Sequence, residues 1–338
     1  MEQARKIKIG ISIGDPNGIG IEVILKIFQE KELFDFFTPI VYGNMKLISF
    51  QKRHLDLKTS LSPYKEGNKL SPNQVNVVDV WNNSFTTEFG KSTEEGGIHA
   101  LKSLKAATKA LKENKVDVLV TAPIDKHNIQ SESFKFPGHT DYLSKELGGK
   151  SLMFMIAEEL KVGLLTDHVP VSEVAQLITP ERIEEKVSLM MKSLKNDFGV
   201  SKPKIGVLGI NPHTGDQGII GKEDDEVLRP TLKKLYKKGH IILGPYAADS
   251  FFGSQTHRQF DAILAVYHDQ GLIPFKTLSF GQGVNYTAGL SKVRTSPDHG
   301  TAYEIAGKGE ARSDSFKEAL FTARNIYFER RENKNLSD

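Results

Sequence analysis

Three histidines carry the first hint of chemistry in this sequence, because each stands just beyond an apolar run that reads as a strand. Val162 to Thr166 runs into Asp167-His168, Ile205 to Ile210 into Asn211-Pro212-His213, and Ala262 to Tyr267 into His268-Asp269. Continuous apolar runs that end in polar residues mark buried parallel strands, and open α/β sheets keep their chemistry at the carboxyl edge. Three imidazoles from rigid strand ends suit a divalent ion held by protein with a position left for a substrate oxygen. His168, His213 and His268 are therefore the candidate metal ligands. Taken singly, each reads more readily as a turn cap or a bond to a loop carbonyl; it is their repetition that points to a shared metal, although the spacing is too wide for a compact ligand motif.

The residues beyond the third histidine keep this character: Lys276, Asn285, Arg294, and then Asp298-His299-Gly300-Thr301-Ala302 and Ile305-Ala306-Gly307. A Lys and an Arg near a metal point to an anionic substrate, the guanidinium fork matching carboxylate or phosphate. The chain has no cysteine, which removes disulfides, zinc-thiolate sites and thiol nucleophiles together.

The elements that must position these groups alternate strand with helix. Ile7 to Ile13 predicts a strand, and Gly14 to Gly20 a tight turn into a helix with Ile21, Ile24, Leu25 and Phe28 on one face. That turn lacks the third glycine of the dinucleotide fingerprint and the Gly-Lys-Ser/Thr of a P-loop. Gly10-Ile-Ser12-Ile-Gly14 matches a nucleophile elbow only formally, since Ser12 sits inside the strand. Strands are predicted at 39–42, 75–80 and 116–120, with a helix carrying Ile98, Leu101, Leu104, Ala107 and Leu111 between the last two. Residues 52–73 are polar and poorly patterned. Residues 152–157 and 162–166 predict a hairpin, Thr179-Pro180 starts a helix, and a final helix covers about 315–329. The aperiodic stretch 127–140, which contains Pro137, is the predicted domain crossing. The fold class is α/β. Its predicted domains are 1–135 with 308–338, and 136–307, the second carrying the metal histidines and the 298–307 loop.

With 338 residues, 38% hydrophobic and 26% charged, the chain can bury two domain cores. A net charge of +3 from scattered basic residues argues against a nucleic-acid partner. No apolar run reaches transmembrane length and no secretory leader is evident at the start, so the expectation is a cytoplasmic enzyme without a membrane partner.

In chain order stand GDPNGIG (14–20), TAPIDK (121–126), PGHTD (137–141), LLTDHVP (164–170), INPHTGDQG (210–218), GPYAADSFF (244–252), YHDQGLIPFK (267–276) and RTSPDHGTAYEIAGKG (294–309). Together these blocks resemble the 4-hydroxythreonine-4-phosphate dehydrogenase (PdxA) family of pyridoxal phosphate biosynthesis. The last also resembles the cofactor loop of the wider isocitrate and isopropylmalate dehydrogenase fold group. The resemblance implies two α/β/α domains with an interdomain cleft, and NAD or NADP bound without the Rossmann fingerprint. It also implies one divalent ion per site (Zn, Mg or Co) and a homodimer whose active site is shared between subunits.

Carried over by position, His168, His213 and His268 become the metal ligands, and His139, Thr140, Lys276, Asn285 and Arg294 the substrate-binding residues. Asp298, His299, Gly300, Thr301, Ala302, Ile305, Ala306 and Gly307 become the nucleotide-binding residues. Lys276 is expected to handle the proton, with Asp249 and Asp269 orienting the metal or its ligands. The implied reaction oxidises 4-phosphooxy-L-threonine to a β-keto acid that loses CO2. A phosphorylated C4 sugar-acid dehydrogenase shares these motifs and is the alternative, while a metal-dependent hydrolase would leave the 298–307 loop without a role.

Overall fold

The computed structural model describes residues 6–132 and 134–335. The backbone separates into two compact units. The first runs through Gly148 and resumes over Ser291–Tyr327; the second is Gly149–Leu290 and the chain from Phe328.

The first unit begins with β1 (Ile7–Ser12), whose Ile7, Ile9 and Ile11 are buried on the core face, followed by α1 (Gly20–Ile27) and α2 (Leu33–Phe36). Next come β2 (Phe37–Gly43), α3 (Met45–His54), β3 (Leu61–Pro63), β4 (Val75–Asp79), α4 (Glu94–Lys112), β5 (Val118–Thr121) and α5 (His139–Leu147). Helix α4 starts where the Thr93 hydroxyl accepts from Gly96 N and Glu94 and Glu95 face the positive helix end, and it buries Leu104, Ala107 and Leu111. In the first unit the strand order is β3-β4-β2-β1-β5 followed by the returning 294–297 strand, and the paired strands are parallel.

The second unit contains β6 (Leu152–Ala157), β7 (Leu160–Leu164), α6 (Val171–Leu177), α7 (Pro180–Phe198) and β8 (Lys204–Leu208). It continues with α8 (Arg229–Lys237), β9 (Ile241–Tyr246), α9 (Ala248–Gly253), β10 (Ala262–Ala265), α10 (His268–Ser279) and β11 (Val284–Ala288). Strands β7, β10, β8 and β9 run parallel in that order, while β6 pairs antiparallel with β7 and with β11. Their inner faces close on Met155, Val162, Leu164, Leu208, Ile263 and Phe275. The chain then returns through β12 (Arg294–Pro297), parallel to β5, and ends the described residues in α11 (Asp314–Asn335).

The α/β class and the 152–164 hairpin agree with the sequence reading. The compact units depart from the predicted domain limits in three places. Residues 136–148 stay with the first unit because Phe134 and Ile129 are buried and the Phe134 ring packs, tilted, against Tyr142 of α5 at 5.4 Å. The stretch around 127–140 thus folds back on its own unit instead of crossing, which its polar residues had hidden. Residues 291–307 also join the first unit, through pairing of Arg294 and Thr295 with β5. From Phe328 onward α11 belongs to the second unit, where Arg330 bonds Asp197. Residues 52–73, read as unpatterned, contain the end of α3 and β3.

Candidate active site

In the second unit the ends of β7 and β10 are tied side by side. Leu165 N and Thr166 N donate to Ala265 O and Val266 O, and the buried Thr166 hydroxyl donates to Val266 O at 2.7 Å. This brings the His168 and His268 imidazoles to a centroid distance of 5.6 Å. His268 is the first residue of α10, not part of a loop, because the strand stops at Ala265. Its Nδ1 lies 2.7 Å from Asp269 Oδ1, which fits a donated proton and leaves Nε2 as the lone-pair nitrogen. Gln270 fastens this helix start, accepting from Val266 N at 2.7 Å and donating to Gly209 O at 2.6 Å beyond β8. The sequence offered Gln270 only as a neighbour of the His-Asp pair.

His213 sits on a different support. From His213 to Gln217 every residue has left-handed backbone, with φ of 52°, 55°, 85°, 43° and 57°. For L-residues this conformation costs about 1 to 2 kcal/mol each, so the surroundings must impose it. The fully buried Asp224 carboxylate accepts from Ile210 N and Asn211 N at 3.0 Å each and from Asn211 Nδ2 at 3.1 Å, pinning the entry to the turn. Gly209 makes room, since a Cβ there would lie 2.8 Å from Asp224 Oδ1. Among the described residues, no group of three or more His, Asp or Glu side chains comes close enough to hold a metal ion. A single chain therefore juxtaposes two of the three predicted ligands. Imidazole nitrogens suit a zinc-class divalent ion better than magnesium.

The other groups predicted in this unit lie on neighbouring elements. Lys276 is exposed two turns along α10, Asp249 is exposed on α9, and Asn285 stands on β11 with a buried Oδ1 that has no hydrogen-bond partner.

The first unit gathers cations. Arg294 of β12 is 1% exposed and donates to the Thr121 hydroxyl, and burial pushes its pKa down to about 9. His139 and the buried Thr140 begin α5, with Lys126 Cε beside Gly138. Desolvation, then the Arg294 and Lys126 charges, hold the His139 pKa well below the ordinary imidazole value, and its buried Nε2 has no hydrogen-bond partner. Two cations, a buried imidazole nitrogen and a helix N-terminus are chemically suited to a small anion.

Beyond β12, the 298–307 loop is held from several sides. Asp298 N donates to the Ser315 hydroxyl, and Ile19 N donates to Thr301 O at 3.0 Å. Gly18 permits that approach, because a Cβ there would lie 2.8 Å from Thr301 O. Gly307, at φ +76°, backs onto the Phe89 ring, while His54 stacks on Phe89 and its Nε2 lies 3.1 Å from Gly307 O. The turn at 14–20 thus buttresses this loop. Its Asp15 and Asn17 are fully buried, and desolvation raises the Asp15 pKa despite hydrogen bonds from Asn128, Asn17 N and Tyr303.

Comparison with known proteins identifies the chain's relatives. Residues 35–323 match the family described as pyridoxal phosphate biosynthetic protein PdxA. The chain belongs to the PdxA family. It is 47% identical over 334 residues to a 4-hydroxythreonine-4-phosphate dehydrogenase of Bacteroides thetaiotaomicron, covering 98% of this chain and 92% of that protein. A solved structure of a 4-hydroxythreonine-4-phosphate dehydrogenase from Klebsiella pneumoniae superposes with a TM-score of 0.83 at 30% identity, covering 96% of this chain and 99% of the other. An Oceanobacillus iheyensis relative named for D-threonate 4-phosphate dehydrogenase is 35% identical, covering 95% of this chain and 98% of its own.

Within this PdxA chain, His139, Thr140 and Arg294 cluster in the first unit together with the 298–307 loop, whereas His168, His213, His268, Asp249, Asp269, Lys276 and Asn285 belong to the second. Sequence reasoning missed Tyr303, Asp125, Asn128, His54 and Phe89, which brace the PdxA loop. Tyr303 lay inside the 294–309 block, and Asp125 inside the 121–126 block.

Proposed function

We propose that this PdxA protein oxidises 4-phosphooxy-L-threonine with NAD or NADP, giving 2-amino-3-oxo-4-phosphonooxybutanoate. This product then loses CO2 to leave 3-amino-2-oxopropyl phosphate for pyridoxine 5'-phosphate synthesis. The observation that carries the reading is the clustering of the Arg294 and Lys126 cations with the buried His139 and Thr140, which suits a phosphate dianion, in a chain 47% identical to a 4-hydroxythreonine-4-phosphate dehydrogenase.

The roles follow from charge and placement. Arg294 and the α5 start bind the phosphate, with His139 Nε2 available as donor or acceptor according to tautomer. The unsatisfied Asn285 Oδ1 accepts from a substrate amine or hydroxyl. Lys276 handles the proton that leaves the C3 hydroxyl, and Asp269 holds the His268 ring. Asp249 is assigned to orient a ligand at the same site. The 298–307 loop would hold the dinucleotide, whose nicotinamide would supply the acceptor for the C3 hydride. His168, His213 and His268 would hold a divalent ion, which when bound would supply Lewis acidity at C3.

Among the described residues, one chain brings His168 and His268 together without a third ligand, which fits a homodimer in which a partner subunit completes the metal site. Val171, Ile219, Ile273 and Phe280, 66 to 82% exposed around these elements, offer apolar surface for that contact. No helix of the described residues is long and apolar enough to cross a membrane, and we place this biosynthetic enzyme in the cytoplasm.

The D-threonate 4-phosphate reading is favoured only by the 35% identical relative. Turnover of 4-phosphooxy-L-threonine, D-threonate 4-phosphate, D-erythronate 4-phosphate and unphosphorylated 4-hydroxythreonine, followed by NAD(P)H absorbance, separates the readings. The first compound should give the highest kcat/KM and the last almost none. Comparable values with and without phosphate would refute the assignment.

A further inference from the structure

The Tyr303 hydroxyl lies 2.9 Å from Asp15 Oδ2 and 3.3 Å from Asp125 Oδ2. Asp15 belongs to the turn after β1, and Asp125 follows β5, so one hydroxyl ties the loop to two adjacent strand ends. Both carboxylates are set independently of Tyr303: Asp15 accepts from Asn17 N at 2.8 Å and Asn128 Nδ2 at 2.7 Å, and Asp125 from the Ser92 hydroxyl and His127 N. The loop needs such an anchor, because the preceding Ala302 is left-handed at φ +45°, a conformation that an alanine does not hold by preference. Gly90 is matched to it as well, since a Cβ there would lie 2.8 Å from Tyr303 O.

Resting on the dinucleotide reading of the 298–307 loop, we infer that Tyr303 is a positioning residue whose hydroxyl, gripped by Asp15 and Asp125, fixes that loop in its dinucleotide-binding shape. Its ring need not touch the cofactor. What it controls is the placement of the neighbouring backbone from Gly300 to Gly307.

The test is Tyr303→Phe, which keeps the ring and deletes the hydroxyl. Binding of NAD+ or NADP+ alone should weaken about tenfold, KM for the dinucleotide should rise in step, and kcat at saturation should stay within about twofold. Tyr327→Phe is the matched control, because it removes a Tyr–Asp117 hydrogen bond of 2.9 Å away from the loop and should leave dinucleotide affinity unchanged. Gly300→Val probes the loop itself. Gly300 faces open space, so the variant should fold, and it should weaken binding if the loop holds the dinucleotide. If Gly300→Val weakens binding while Tyr303→Phe binds like wild type, the positioning role is wrong and the loop reading stands. If neither affects binding, both fall. Equal losses in Tyr303→Phe and Tyr327→Phe would reduce Tyr303 to a stability contact and overturn the proposal. Should Tyr303→Phe not fold, Asp125→Asn weakens the longer of the two Tyr303 contacts, along with the Ser92 hydrogen bond, and should raise Kd by a smaller factor; an unchanged Kd there overturns the proposal.

Discussion

His139 joins residue chemistry to a measurable pH effect. Desolvation and its cationic neighbours depress its pKa in the folded chain well below the ordinary imidazole value of about 6.5. As pH falls through about 6.5, the unfolded chain takes up this proton first, so folding stability should decline on acidification. His139→Gln should flatten that decline. His99 and His257 are depressed too, chiefly by desolvation, so the informative quantity is the difference between variant and wild-type urea stability across about pH 8 to 5.5. Parallel curves would mean that the ring is not held neutral. The motif placed His139 and Arg294 together as anion binders, but only the structure reveals that Arg294 is 1% exposed. Burial depends on what covers a residue, and no spacing rule records that. Tyr303 was passed over for a related reason, as its partners lie far away in sequence.

Elements built on simple periodicity were legible: the parallel strands, the hairpin, and α7 with its Thr179 cap and Pro180 start. The left-handed turn at 213–217 was not, because it follows no hydrophobic period and most of its residues disfavour that backbone. Nor was the fastening of α11 visible, where Arg330 Nε bonds Asp197 Oδ1 at 2.7 Å and its Nη2 reaches the Tyr286 hydroxyl at 2.9 Å. Ser193 and Tyr286 also donate to Asp197 Oδ2, at 2.6 Å each. Asp197→Ala would strand the largely buried guanidinium and should cost about 3 kcal/mol by chemical denaturation. A loss under about 1 kcal/mol would show that this network contributes little to holding α11. Because Tyr286 is next to Asn285 on β11, the same variant should also raise substrate KM.

For the whole molecule, the compact units and the predicted domain limits differ, since a strand can be assigned to a sheet only once its pairing partner is known. The proposed shared site has a direct assay. His168→Ala and Lys276→Ala should each be inactive as homodimers. If one site draws these two residues from different chains, mixing the variants leaves every mixed dimer with one intact site. Random reassortment should then restore roughly a quarter of wild-type activity. No recovery would count against this division of residues between subunits.

The turn at 213–217 has a consequence for binding entropy. Its unfavourable backbone is imposed by Asp224 and the surrounding glycines when the unit folds, before any ligand arrives. An incoming ligand of His213 therefore meets a backbone already set, and only the ordering of the exposed His213 side chain is left to the association step.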